Sequence, residues 1–144
     1  MKVLWAFSAL HLTACSMPSR FDDSKYGASI GIVNHTSKFI YSAGVNGAGG
    51  ANMAAWGAGM AQVCCVMVPK IWHPHLKVTV GWDMPDGSEH RYKEKVVELE
   101  KYEENGGSVY LHFYPDDHVR VIVSPYDGAS PLHPIQRPVK PTSQ

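Results

Sequence analysis

The sequence lacks an excess of either charge. Thirteen Lys and Arg face thirteen Asp and Glu, a formal net charge of zero. A nucleic-acid binder would gather Lys and Arg on one face, and no such cluster is present. Long apolar runs are scarce. A spanning helix needs roughly 20 apolar residues, and beyond the first dozen residues no run approaches that length. Cysteine is rare, with three in 144 residues. Catalytic signatures are missing as well. There is no Gly-x-Ser-x-Gly elbow. No glycine-rich loop ends in Gly-Lys-Ser or Gly-Lys-Thr, and no βαβ setting surrounds the glycines for a dinucleotide. Together these gaps lead us to expect neither an enzyme nor a bound cofactor. The chain is 44% hydrophobic, too apolar for a disordered tail and long enough for one domain with a core.

What is present begins at the front. Lys2 heads a short apolar run over residues 3–12, and the small residues Thr13 and Ala14 precede Cys15. That layout reads as a secretory signal peptide. Leu12-Thr13-Ala14-Cys15 also resembles a bacterial lipoprotein box, which implies an acylated Cys15 as first mature residue. Ser16 follows, and by resemblance to bacterial sorting rules it favours the outer membrane, with the domain on the periplasmic side. The expected organisation is a leader over 1–14, a polar tether over 15–26, a folded domain over 27–126 and a proline-rich irregular tail over 127–144.

The domain reads as all-β. Residues 28–34 and 38–45 are rich in β-branched and aromatic side chains, as strands are. Residues 63–68 form a continuous apolar run, which predicts a central strand buried on both faces. Residues 77–82 alternate, which predicts a half-buried strand. Residues 90–99 favour a strand over a helix. Residues 109–114 and 118–123 flank Pro115-Asp116-Asp117 and make the clearest hairpin. Six glycines between Gly44 and Gly59 predict a small-residue loop over 44–61. The expected fold is a small antiparallel β-sandwich of six to eight strands.

The order of several features resembles the lipoprotein family of domain of unknown function 3304. The features are Gly47-Ala48-Gly49-Gly50, Cys64-Cys65, Pro69, Trp72, the valine-rich 77–82, Lys101-Tyr102, the strands near 109 and 119, and His133-Pro134. The resemblance spans about residues 28–134. One departure is Pro74-His75 in place of the expected Pro-Gly, which puts a tight turn in question because histidine accepts positive φ less readily than glycine. Some members look like immunity proteins against lipase-type effectors of the type VI secretion system. The resemblance thus implies a membrane-tethered binding role with a secreted lipase-type effector as partner. The alternative is a housekeeping outer-membrane lipoprotein that scaffolds an assembly.

Candidate residues follow. Met53, Trp56 and Met60 in the glycine-rich segment are candidate partner contacts, since aromatic and Met side chains are over-used at interfaces. Asp86, in the turn over 83–90, is another, and His73 and His75 offer further exposed contacts. Those two histidines with the cysteines form no convincing zinc set, because Pro74 stiffens the loop between them. Cys64-Cys65 admits a vicinal disulfide, two buried thiols on opposite faces of a strand, or a redox pair. His112, in an alternating strand next to Phe113, reads as a satisfied strand histidine rather than a catalytic base.

Overall fold

A computed structural model of the chain describes residues 22–104 and 106–143. The expected leader and Cys15 lie outside the described residues. Eight strands and no helix occur among those described: β1 (Lys25–Asn34), β2 (Ile40–Val45), β3 (Ala48–Met53), β4 (Val63–Pro69), β5 (Lys77–Asp83), β6 (Tyr92–Glu98), β7 (Ser108–Phe113) and β8 (Val119–Ser124). They form two four-stranded sheets, ordered β4-β1-β7-β8 and β3-β2-β5-β6. The architecture is the expected all-β sandwich. One pair departs from antiparallel order: β1 runs parallel to β7, with Ile30 opposite Val109 and Asn34 opposite Phe113.

The core lies between the sheets. Ile30, Ile32, Leu111, Phe113 and Val121 from the first sheet meet Ile40, Val45, Val80 and Trp82 from the second. Trp82 and Phe113 touch across it, ring centres 5.5 Å apart. The first sheet is also covered on its outer side. Val33, Tyr110 and Ile122 form a second cluster there, beneath Ala58, Ala61 and Ile135. Two straps supply that cover. One follows β3, and the other is the C-terminal segment, which contains no strand. Gly128 N–H donates to Gly59 O at 3.2 Å and joins the straps.

Two expectations are corrected. The glycine-rich segment is not wholly a loop, because residues 48–53 form edge strand β3 against β2. Asn46 (φ 49°) and Gly47 (φ 78°) make the turn, and consecutive positive φ angles match the twist of a tight hairpin. Gly49 sits at φ 135°, where a Cβ would strike Gly44 and Ala43 on β2. The glycines therefore permit a bulged edge pairing that bulkier residues would block. The second correction concerns residues 63–68. This strand is not central but an edge, and its burial alternates: Val66 and Val68 are buried while Cys64 and Met67 are exposed.

The 109–123 hairpin forms as read, and Asp116 and Asp117 both take positive φ at its tip. At the departure from the family pattern, His75 itself takes φ 61°, so the turn survives with histidine in glycine's place.

Candidate functional site

The sandwich has two poles. β1 enters at Lys25, paired with Pro69, and leaves at Asn34 beside Phe113. At the usual strand rise its ten residues span roughly 33 Å. The exit pole carries a cleft of about 560 Å³. Its wall is built from the β1–β2 loop (Thr36, Ser37, Lys38), from Trp56, from the β5–β6 hairpin (Met84, Asp86, Arg91, Lys93) and from the β7–β8 tip (Tyr114 to Asp117), with Trp82 beneath.

Buried Asn34 fixes the first part of the wall. Its Nδ2 donates to Lys38 O at 2.7 Å and to Ala54 O at 3.0 Å. Its Oδ1 accepts from Thr36 N–H at 3.0 Å and Thr36 Oγ1 at 2.8 Å. Its own N–H donates to Gly57 O, and Trp56 N–H donates to Thr36 O. One amide side chain thus ties the loop after β1 to the turn that carries Trp56. Asp83 plays the same part in the β5–β6 hairpin. It accepts from Arg91 N–H at 2.8 Å and lies 2.5 Å from His90 Nδ1. Burial alone would raise its carboxyl pKa, but these bonds and the nearby imidazole hold it below the ordinary value.

The third part is latched by charge. Lys93 Nζ donates to both carboxylate oxygens of Asp117, at 2.9 and 2.7 Å, and Lys95 Nζ reaches Asp117 O at 3.2 Å. These contacts join the second sheet to the hairpin tip of the first. Three non-glycine residues on the cleft wall, Trp56, Asp116 and Asp117, have φ near +60°. Each such conformation is costly for a side-chain-bearing residue and persists where surroundings enforce it. Beside the cleft, Phe39 and Tyr41 are 48% and 54% exposed. They border a smaller pocket with Pro85 and His90, and Tyr41 meets His90 edge-on at 4.8 Å. The arrangement offers aromatic faces and charges of both signs on a hydrogen-bonded frame.

Of the residues singled out in the sequence, the structure brings Trp56 and Asp86 together on this cleft. Met53 instead packs against the core. Met60 is exposed, but in a depression lined by β1 and β3 residues. His73 and His75 lie in the β4–β5 loop at the entry pole, where His75 Nδ1 is 3.7 Å from Glu98 Oε1. They share no site with Cys64 and Cys65, and among the described residues no three His, Cys, Asp or Glu side chains converge so as to hold a metal ion. Cys64 and Cys65 are bonded to each other across a cis peptide on edge strand β4. Sequence reading missed Asn34, Asp83, Tyr114 and the Lys93–Asp117 latch. The one local signal was Asn34-His35-Thr36, whose spacing suits an Asx turn.

A two-layer sandwich of eight strands with a cleft at one pole defines a β-sandwich scaffold whose loops build that cleft. The chain belongs to the family described as protein of unknown function (DUF3304), whose model matches residues 33–121. That span runs from the end of β1 into β8 and includes every wall of the cleft. No curated protein and no solved structure matches the chain.

Proposed function

We propose that this protein is a tethered immunity-type binder. A lipid on Cys15 holds it to the periplasmic face of the outer membrane, and it neutralises a secreted lipase-type effector by seating part of that effector at the exit-pole cleft. One observation carries the reading: exposed Phe39 and Tyr41 flank a rigid cleft walled by Trp56, at the pole opposite the start of β1. Aromatic anchors in preorganised pockets dominate binding energy at protein interfaces. The placement also fits tethering. A chain entering at Lys25 presents the far pole outward, toward an arriving protein. The mechanism is occlusion, and it asks no chemistry of the binder.

The test is co-purification with the product of a neighbouring lipase-type effector gene. The pair is expected to co-elute on gel filtration. Trp56→Ala is expected to weaken the complex by roughly 30-fold or more, in the range of an interface hot spot, with a thermal midpoint close to the parent's. Failure to co-elute overturns the reading and favours the scaffolding alternative. Co-elution with affinity unchanged by Trp56→Ala and by Phe39→Ala moves the interface off this pole.

A further inference from the structure

Three histidines from distant parts of the chain form a continuous hydrogen-bonded row on the outer side of the first sheet. His35 Nε2 lies 3.0 Å from His112 Nδ1, and His112 Nε2 lies 3.1 Å from His133 Nε2. His133 Nδ1 ends the row at Tyr126 O, 2.9 Å away. The direction of every bond follows from that last link. A carbonyl only accepts, so His133 Nδ1 carries hydrogen. Neutral His133 then has a bare Nε2, which accepts from His112 Nε2–H. Neutral His112 has a bare Nδ1, which accepts from His35 Nε2–H. Three neutral rings supply three hydrogens for three links.

Only His35 Nδ1 is left over, with no partner among the described residues. One added proton can enter there with every link kept, because that nitrogen lies outside the three links and each still holds one hydrogen. A second added proton leaves one gap holding two hydrogens that face each other, and that link must open.

The surroundings do not compensate for added charge. His112 and His133 are buried. Arg120 stands directly across the ladder from His112, its own charge paired with Glu100 at 2.9 and 2.7 Å. Tyr114 stacks on His35 at 4.3 Å, and His118 packs against Tyr114 at 5.3 Å. Tyr110 meets His133 edge-on at 4.7 Å, and Asp127 acts on Tyr110 from the strap itself. No carboxylate touches the three rings among the described residues.

We propose that this row is the clasp of an acid-released strap: residues 125–143 stay docked while the three imidazoles hold at most one extra proton, and detach when a second arrives. His133 and Ile135 are the strap's inward contacts. Further along, Arg137 and Lys140 border Trp56, so release also removes the backing of that cleft wall. The clasp itself does not depend on what the cleft holds, and the experiment is read on the protein alone.

The full chain in detergent micelles is followed by amide hydrogen exchange, corrected for the intrinsic pH dependence, and by imidazole 15N resonances. At pH 8 the resonances are expected to show Nδ1–H at His133 and Nε2–H at His112 and His35. Between pH 7.5 and pH 5, protection at Gly128 and His133 is expected to fall at least 30-fold, while Leu111 and Val121 change less than threefold. His133→Gln keeps a neutral hydrogen-bonding side chain and is expected to hold strap protection within threefold over that range. Strap protection independent of pH in the parent protein overturns the proposal. So does a fall in His133→Gln equal to the parent's, or a different tautomer set at pH 8. Should His133→Gln not fold, the parent's exchange and 15N data decide alone.

Discussion

The two sheets share one core but treat their outer faces differently. The first is buried on both sides at its centre, with Tyr110, His112 and Ile122 lying beneath two straps, and its β4 edge leaves Met67 exposed. The second leaves its outer face bare: Gly44, Gly49 and Gly81 line a trough there, and Tyr92 and Val96 stand 66% and 62% exposed. The contrast separates the part that holds the fold from the part that shapes the cleft. The doubly covered sheet holds the fold and the histidine row. The open sheet contributes the β5–β6 hairpin and the aromatic side chains that shape the cleft end.

The largest expected effect breaks the covered side. Ile122→Ala removes a side chain 5% exposed from beneath the strap and should cost about 3 kcal/mol, the range for truncating a buried aliphatic. Urea denaturation measures it. A cost no greater than that of an exposed valine would mean that the straps do not seal that face. Next comes Asn34→Ala, at the junction of the covered sheet and the cleft. It leaves Ala54, Lys38 and Thr36 groups without their partner and should cost about 2 kcal/mol, again read from urea midpoints.

Acid sharpens the comparison from the covered side alone. Burial, reinforced by His133, His35 and Arg120, lowers the pKa of His112 from 6.5 to about 3. A histidine with a lowered folded pKa contributes stability in full above its unfolded value. That contribution is lost as pH falls from 6.5 toward 3, by at most about 1.4 kcal/mol per pH unit. Between pH 6.5 and pH 5 the chain should lose about 2 kcal/mol. His35, also lowered by burial and Arg120, acts in the same direction. Asp83, lowered from 3.8, takes effect only below that window. A flat urea midpoint over this range would contradict the burial of the row. The smallest effect belongs to the open side: Val96→Ala should change stability by less than about 0.5 kcal/mol, measured in the same titration.

Legibility in the sequence followed the same division. The alternation of residues 77–82 and the hairpin near 109–123 were readable because one face is wet or a turn is marked. The edge position of β4 was not, because Val63 to Val68 is apolar at every position and composition alone cannot separate an edge from a centre. β3 was hidden by its glycines, although Asn46-Gly47 is the strongest short-range hairpin signal. Trp56 and Asp86 could be picked out as contact candidates near turns, and the structure leaves Trp56 half-buried and Asp86 exposed. Asn34 could not be seen as a hub, since its partner Ala54 is on another segment. The histidine row had no local spacing at all. It exists because β1 lies parallel to β7, placing Val33 opposite His112, and because the tail returns across both.

That same parallel pairing sets the order in which the molecule can assemble. β1 has no neighbour close in sequence: its partners are β4 and, much later, β7. Closing so wide a loop costs entropy before any contact rewards it, which slows folding. The N-terminal strand therefore waits, unpaired on one side, until the chain has been made at least as far as Phe113. A polypeptide built this way stays open through most of its synthesis and locks late.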